Sequence, residues 1–564
     1  MIILVALTAP AVADALPQDP IVVALTEELD RSQQLTVADA PPIYHQRYHV
    51  VSLEQIDATA SLGALVKVNT GPYRQLGVEL RVGEPTFDNT GMGGWQNGFA
   101  STWLPIEVTP DVARIEAWRL TDRAYKQGVE QYARKIAQFT APDDYPGDYT
   151  LRDGDIVDAG TAQLGDRDTL VELARQMSGA MSDAGKVSRA EVYVGHEAGH
   201  HLIVDTEGTR IRRPLEETSI RAVVHVHADD GMVLTDQRLW SMRHPTALPP
   251  ADGMAEEARQ MTASLIALST ADVLDEEYVG PVVFEGDAAA DVFRYLLVPQ
   301  LEGTPPEIPF DSFFGDLGSS GSSNVRLGRR VLPMGWSVFD DPAGQPDHPS
   351  AFDIDAEGTP AQPVTLVTDG IVRDVLMSRV PRRGVEGTNG HARGMPGDRM
   401  AGRASQVTVE PGKAGSTAKL IKKGLRLAAS YGHDYVVVIE RLQEPSVMSL
   451  DRNTSSFIIF GGDDDADQAL PPPVGAKRVY ADGREEPIRG MSFGGVHRWI
   501  LRDIAAAGPI VSATVMASPD AGRNPASPTE GMPTLIEAPS VLIGELELVP
   551  RPGNEQDIPV LDLP

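Results

Sequence analysis

An α+β fold is predicted, with an N-terminal mixed sheet packed by helices and a β-rich, antiparallel, barrel-like C-terminal part. Three observations carry it. In the first half, stretches with apolar residues at helical spacing alternate with stretches of period two; beyond Gly280 strand patterns dominate; and 53 glycines with 44 prolines in 564 residues supply the turns of many strands. At this length the chain holds two to four domains, and 41% hydrophobic residues suffice for real cores.

Met1–Ala15 is a short apolar run ending in small residues, with A-x-A sites at Ala11–Ala13 and Ala13–Ala15 but no basic n-region, so a signal-like segment and export are expected. Asp19-Pro20 caps an amphipathic helix over about 20–35. Strands follow at 43–51, 54–61, 63–70 and 73–82, with Asn69-Thr70-Gly71-Pro72 as hairpin signal. A long helix over 111–139 ends in a Pro-, Asp- and Gly-rich stretch, Thr140–Asp158, that reads as a linker. A helix at 166–182 leads into strands at 189–194, 201–205, 209–213, 219–228 and 232–240, then a helix at 252–269. Further helices are expected near 287–298, 416–430 and 497–506, and surface loops at 319–323 and 462–473. The expected units are 1–15, an α+β extension 16–140, a second α+β unit 160–275 and the β-rich unit 276–564.

Forty-nine basic and 80 acidic residues give a net charge of −31, which repels phosphate backbones and argues against a nucleic-acid partner. No apolar run is long enough to span a membrane. The absence of cysteine removes disulfides, thiolate ligands and a cysteine nucleophile.

His196-Glu197-Ala198-Gly199-His200-His201 contains H-E-x-x-H, in which two histidines one helical turn apart bind zinc and the glutamate activates water. That chemistry needs a helix. AEVYV before the motif alternates like a strand, and Gly195 and Gly199 would each cost a helix about 1 kcal/mol relative to alanine, so a turn or hairpin tip is expected. Glu197 as base and His196, His200 and His201 as ligands, with Glu216 or Glu217 behind them, define the zinc alternative. A strand-built site combining His200 or His201 with His225 and His227 is a further one.

From Gly280 onward the chain resembles the TldD/PmbA family, bacterial proteins once named modulators of DNA gyrase and grouped with metallopeptidases. GPVVFEGDAAADVFRYLLVPQLEG (280–303) resembles the strand-then-helix entry of the family's C-terminal domain. VFDDPAGQPDHPSAFDIDAEGTPAQPVTLVTDGIVRDVLMSR (338–379), GTNGHAR (387–393) and SVLIGELEL (540–548) resemble its later segments, and the likeness covers about 166–564. It implies that 160–275 and 276–564 are the family's N- and C-terminal domains, with the first residues those of a long, exported, periplasmic or secreted branch.

Active members carry H-E-x-x-x-H after the strand and a cysteine near the C-terminus. With PVV and LEG as anchors, the three motif positions fall on Arg294, Tyr295 and Pro299. The resemblance therefore implies a PmbA (TldE)-like chain without its own zinc site. No cofactor is expected, zinc entering only under the HEAGHH alternative. The implied partners are peptide or unfolded polypeptide and a second subunit, as a homodimer or as a heterodimer with another family member. A non-catalytic envelope binding or scaffold protein is the third reading.

Arg379, Arg382, Arg383, Asn389, His391 and Arg393 lie in a Gly-rich stretch and are candidates for holding a peptide or its carboxylate, against the plainer reading of arginines paired with the acidic excess. Asp353, Asp355 and Glu357 alternate, which fits a divalent cation or, more simply, an acidic turn before Gly358. Asp463–Asp465 lacks a calcium-loop pattern, Asp482-Gly483 marks a hairpin, and Met377, Met395 and Met400 read as core.

Overall fold

The computed structural model describes residues 16–35, 40–93, 98–182, 186–308, 326–444, 470–517 and 532–551. The signal-like segment, the 319–323 tract and Asp463–Asp465 lie outside the described residues.

Helix α1 (Pro20–Ser32) starts where expected, because the Asp19 carboxylate accepts the Ile21 N–H at 2.9 Å and Pro20 occupies the first helical position. Strands β1 (Ile43–Ser61) and β2 (Ala64–Glu84) form one long hairpin where four strands were expected. Its turn is Leu62-Gly63, both at positive φ (49° and 83°), the twist a two-residue hairpin loop requires. Asn69–Pro72 sit inside β2, paired with Glu54–Asp57. Strand β3 (Phe99–Trp103) adds to β2, and α2 (Pro110–Gln138) covers them.

After α3 (Arg167–Ala180) come three antiparallel strands: β4 (Val187–Asp205), β5 (Arg210–His227) and β6 (Val233–Met242). β4 and β5 are each single strands where two were expected. Helix α4 (Ala251–Ser269) closes this half. Among the described residues the sheet has eight strands, and β1 pairs β4 from Arg47 to Ser61, so residues 16–140 and 160–275 share it.

Even-numbered residues of β1 face the helices. Tyr48 and Val50 pack with α1 and α2, while Ile56, Ala58 and Ala60 pack with α3 and α4. The odd face carries Arg47, His49 and Val51 toward the C-terminal half, so this part of the sheet is buried on both sides.

The C-terminal half continues through β7 (Tyr278–Phe284), α5 (Asp287–Leu296), β8 (Ser337–Asp340), β9 (Val364–Thr368), β10 (Gln406–Glu410), α6 (Thr417–Ala428), β11 (Tyr435–Leu442), β12 (Pro473–Tyr480), β13 (Glu485–Arg489), β14 (Ile504–Ala517) and β15 (Met532–Pro550). β15 binds them together by pairing with β7, β10 and β14. Two expectations are corrected here. The twelve-stranded sheet is open, so the barrel-like form is absent among the described residues, and its mostly antiparallel pairing includes the parallel pairs β7–β11 and β10–β15. The helix expected at 497–506 is a 3-10 turn over Arg498–Asp503, after which Ile504 enters β14.

Thr140–Asp158 is no free linker. Asp148 accepts from buried Lys135 at 2.7 Å, and the Tyr149 ring lies between Arg81 and Arg379, 3.8 and 4.4 Å from their guanidinium carbons.

Candidate functional site

HEAGHH lies in the middle of β4, neither on a helix nor at a hairpin tip. The expected turn is overruled because both flanks are paired: His196 opposes Ile56 and Thr218, and His201 opposes Val51 and Arg213. Alternation sends His196 and His200 to the helix face and Glu197 and His201 to the other. On one face, residues four apart in a strand are separated by about 13 Å, too far for one ion.

Each imidazole has separate work. His196 Nε2 accepts the Gly165 N–H at 2.9 Å, which leaves Nδ1–H to donate to Thr218 Oγ1 at 2.9 Å. Its lone pair is therefore in use, and burial lowers its pKa. His200 meets Thr161 at 3.2 Å, with its pKa pushed down to about 4, chiefly by burial. His201 Nδ1 shares a proton with His49 Nε2 at 2.8 Å. His225 Nδ1 bonds Thr235 at 2.9 Å, away from these groups. Among the described residues, no three His, Asp or Glu side chains converge to hold a metal ion.

The Arg-rich candidates are also dispersed. Arg379, 1% exposed, donates to the Thr150 carbonyl and to Glu207. Arg382 reaches the Gly303 carbonyl at 3.0 Å, Arg393 the carbonyls of Ala404 and Pro533, and exposed Arg383 pairs with Asp144. Asn389 clamps backbone, accepting the Met377 N–H at 2.7 Å and donating to the Val375 carbonyl at 2.8 Å. His391 Nε2 meets Asp340 at 3.2 Å in the interior. Asp355 is a turn residue: one oxygen accepts the Glu357 and Thr359 N–H groups at 2.8 Å, the other the Ala392 N–H.

The chemistry-bearing cavity lies elsewhere. A space of about 310 Å³ opens between β6 (Asp236–Met242), α5, the end of β11 and β14 (Ser512–Met516). Among the described residues β6 pairs only β5, and β14 only β15 among the sheet strands, so each keeps one edge without a strand partner. Most of its charges are matched internally: Arg441 with Asp236 at 2.7 Å, Arg238 with Glu257 at 2.7 Å and Arg294 with Glu444 at 2.7 Å. Ser241 and Gln237 line the cavity, and the buried Ser241 Oγ and Gln237 Oε1 have no hydrogen-bond partner among the described residues. Burial, helped by Glu444, outweighs Arg294 and pushes the Asp291 carboxyl up to about 7. On the rim, His348 Nδ1 accepts the Ser350 N–H, so its Nε2–H donates to Thr514 at 3.0 Å and holds that hydroxyl without activating it.

Of Arg294, Tyr295 and Pro299, the positions of the expected lost motif, Arg294 lines this cavity. Arg294 lies on α5, its guanidinium 4.8 Å from the Tyr295 ring centre. Pro299 is the second residue of the short helical turn that follows, Val298–Leu301. Zinc takes imidazole nitrogen, thiolate sulfur or carboxylate oxygen, whereas these positions supply a guanidinium, a phenol and a proline ring. The residues present do not fit that metal. Sequence reasoning found Arg294 but missed Asp236, Asp291, Arg441 and Glu444, which come together only through the pairing of distant strands.

The fold defines an α+β protein with two large sheets and a polar cavity between an edge strand of the first and strands of the second. Residues 277–441 match the PmbA/TldA metallopeptidase C-terminal domain. Over those residues the chain carries the C-terminal domain of the TldD/PmbA family. Similar solved structures include a candidate modulator of a DNA gyrase from Thermotoga maritima (TM-score 0.57, 13% identity, covering 95% of this chain and all of that one). TldE from Thermococcus kodakarensis gives 0.56 at 13% identity, over 93% of this chain and 100% of that chain. A candidate modulator of DNA gyrase from Bacteroides thetaiotaomicron gives 0.56 at 11%, over 94% and 98%. No curated protein matches this chain.

Proposed function

We propose that this chain is a PmbA (TldE)-like subunit that binds peptide or unfolded polypeptide in the cavity between β6 and β14, without a zinc site of its own. The observation that carries the reading is Arg294, ion-paired with Glu444 where the family's first zinc-binding histidine would stand. Two further features support it. With the charges matched in pairs, the unpartnered Ser241 hydroxyl and Gln237 carbonyl are neutral groups suited to a peptide amide. The unpaired edges of β6 and β14 offer backbone donors and acceptors to an extended chain. The protein acts in this reading as an exported dimer, alone or with a second family subunit that supplies the hydrolytic metal.

The test uses the full chain and a fluorescent unfolded polypeptide, with binding followed by anisotropy and cleavage by mass spectrometry. Saturable binding that EDTA leaves unchanged, that Ser241→Val weakens about tenfold, and no cleavage by the chain alone are expected. Cleavage by the chain alone with stoichiometric zinc, both lost in His196→Ala, would overturn the proposal in favour of the HEAGHH peptidase. Absence of any binding, with or without another family member, would leave the scaffold reading.

A further inference from the structure

One helix of this chain of net charge −31 carries unmatched positive charge. On α2 and α4, cations are matched one turn away: Arg119 by Glu116, Lys126 by Asp122, Arg134 by Glu130 and Arg259 by Glu256. From Lys413 to His433, by contrast, α6 and its flanks hold five cations and no carboxylate. Leu420, Gly424 and Ala428 are buried against the sheet, so exposed Lys419, Lys422 and Arg426 form an outward stripe about 10 Å long. Lys423 donates to the Ala505 carbonyl, while Lys413 and the three stripe residues pair with no carboxylate among the described residues. The far end of the same helix is acidic. Tyr431 donates to Glu545 at 2.6 Å, exposed Asp434 follows, and Tyr278 stacks on His433 at 4.5 Å, which brings the exposed run Asp275-Glu276-Glu277 beside the helix C-terminus.

We infer that the outer face of α6 is self-complementary and seats a second copy of this chain across a two-fold axis perpendicular to the helix. Antiparallel helices then bring the lysines of one copy to the carboxylates at the helix end of the other, twice over, as an isologous contact requires. Ala414 bridges Ala507, which places exposed Ile510 near the basic end, while half-exposed Tyr431 marks the acidic end. The same operation brings Ile510 of one copy to Tyr431 of the other and adds apolar contact. Charge complementarity selects this occupant. An anionic membrane or an acidic peptide attracts the lysines but is repelled by the carboxylates beside them and by the rest of the chain, whereas a second copy satisfies both ends. At physiological salt the Debye length of about 8 Å screens the mutual repulsion of the two chains and leaves contact pairs in force. The inference deepens the dimer of the proposed function, on which it rests, and is separate from what the cavity binds.

Sedimentation velocity of the full chain tests it. The wild type should dimerise at about 0.15 M salt and bind its copy at least about tenfold more weakly at about 1 M. The double variants Lys419→Glu, Lys422→Glu and Glu276→Lys, Glu277→Lys should each weaken the dimer at least about tenfold, and an equimolar mixture of the two should restore it, because the reversed charges then match across both contacts. All four side chains are exposed, so both variants should keep the wild-type thermal midpoint within about 2 °C. A wild type that stays monomeric up to about 100 µM overturns the inference together with the dimer. A wild-type dimer that neither variant weakens overturns this surface alone and leaves the dimer standing. Wild type that sediments with vesicles of phosphatidylcholine and phosphatidylglycerol, and loses this in Lys419→Glu, Lys422→Glu, overturns the inference in favour of a membrane.

Discussion

His49 and His201 illustrate how a residue that looks like a ligand is used instead as sheet interior. The rings share one hydrogen bond at 2.8 Å on the face turned toward the C-terminal half. Burial first, then the charges of Arg213 and Arg47, hold the His49 pKa well below its ordinary 6.5. The folded state therefore prefers the neutral ring, and stability present above pH 6.5 is lost as the pH falls below it. Each such histidine contributes up to about 1.4 kcal/mol per pH unit in that window. Urea unfolding of wild type and His49→Gln between pH 7.5 and 5 should show a shallower loss in the variant. Identical slopes would mean that this pair is not among the groups titrating on unfolding.

At the scale of elements, Gly195 before the motif and Gly199 within it separate strand from helix experimentally. A Cβ on Gly199 would lie 2.1 Å from the Ser52 carbonyl oxygen and 2.5 Å from Leu53 Cα, both backbone atoms of β1. On Gly195 the nearest atom is Asp57 Oδ1, at 3.7 Å. Gly199→Ala must push β1 from β4 and should cost about 2–4 kcal/mol, while Gly195→Ala should stay within about 0.5 kcal/mol. Equal effects in chemical denaturation would contradict the strand assignment. Local pattern made much of the fold legible: Asp19-Pro20, the alternation of AEVYV and the Asp482-Gly483 turn each report on their own neighbourhood. The long β1–β2 hairpin was harder to read, because Asn69–Pro72 has turn chemistry and is overruled by eighteen cross-strand partners. The open C-terminal sheet was not legible either, since parallel pairs such as β10 with β15 join residues more than a hundred apart. The cavity followed the same rule: Arg294 could be placed by motif spacing, but nothing near it in sequence announces Glu444 or Asp236.

At the scale of the whole molecule, the two halves meet over buried charge. Arg379 reaches from the C-terminal half to Thr150 and Glu207, and Arg47 on β1 pairs with Glu79 while lying 3.6 Å from Glu357. Glu357 also accepts the Arg379 backbone N–H at 2.6 Å. Burial raises the Glu357 pKa to about 7, and the nearby carboxylates of Asp355 and Glu79 add to the rise against the pull of Arg47 and Arg379. A raised carboxyl pKa favours folding in the protonated form, so its contribution is complete below pH 4.5 and is lost as the pH rises through 7. Glu357→Gln keeps the shape and removes the ionisation. The variant should therefore gain on wild type as the pH rises from 4.5 to 7, by about 1–3 kcal/mol in urea unfolding, and the gain should level off above pH 7. Arg379→Met should lose stability at neutral pH, since it removes the guanidinium that pairs with Glu207. Parallel pH curves for Glu357→Gln and wild type would show that the junction holds Glu357 charged, and that Arg47 and Arg379 outweigh its burial.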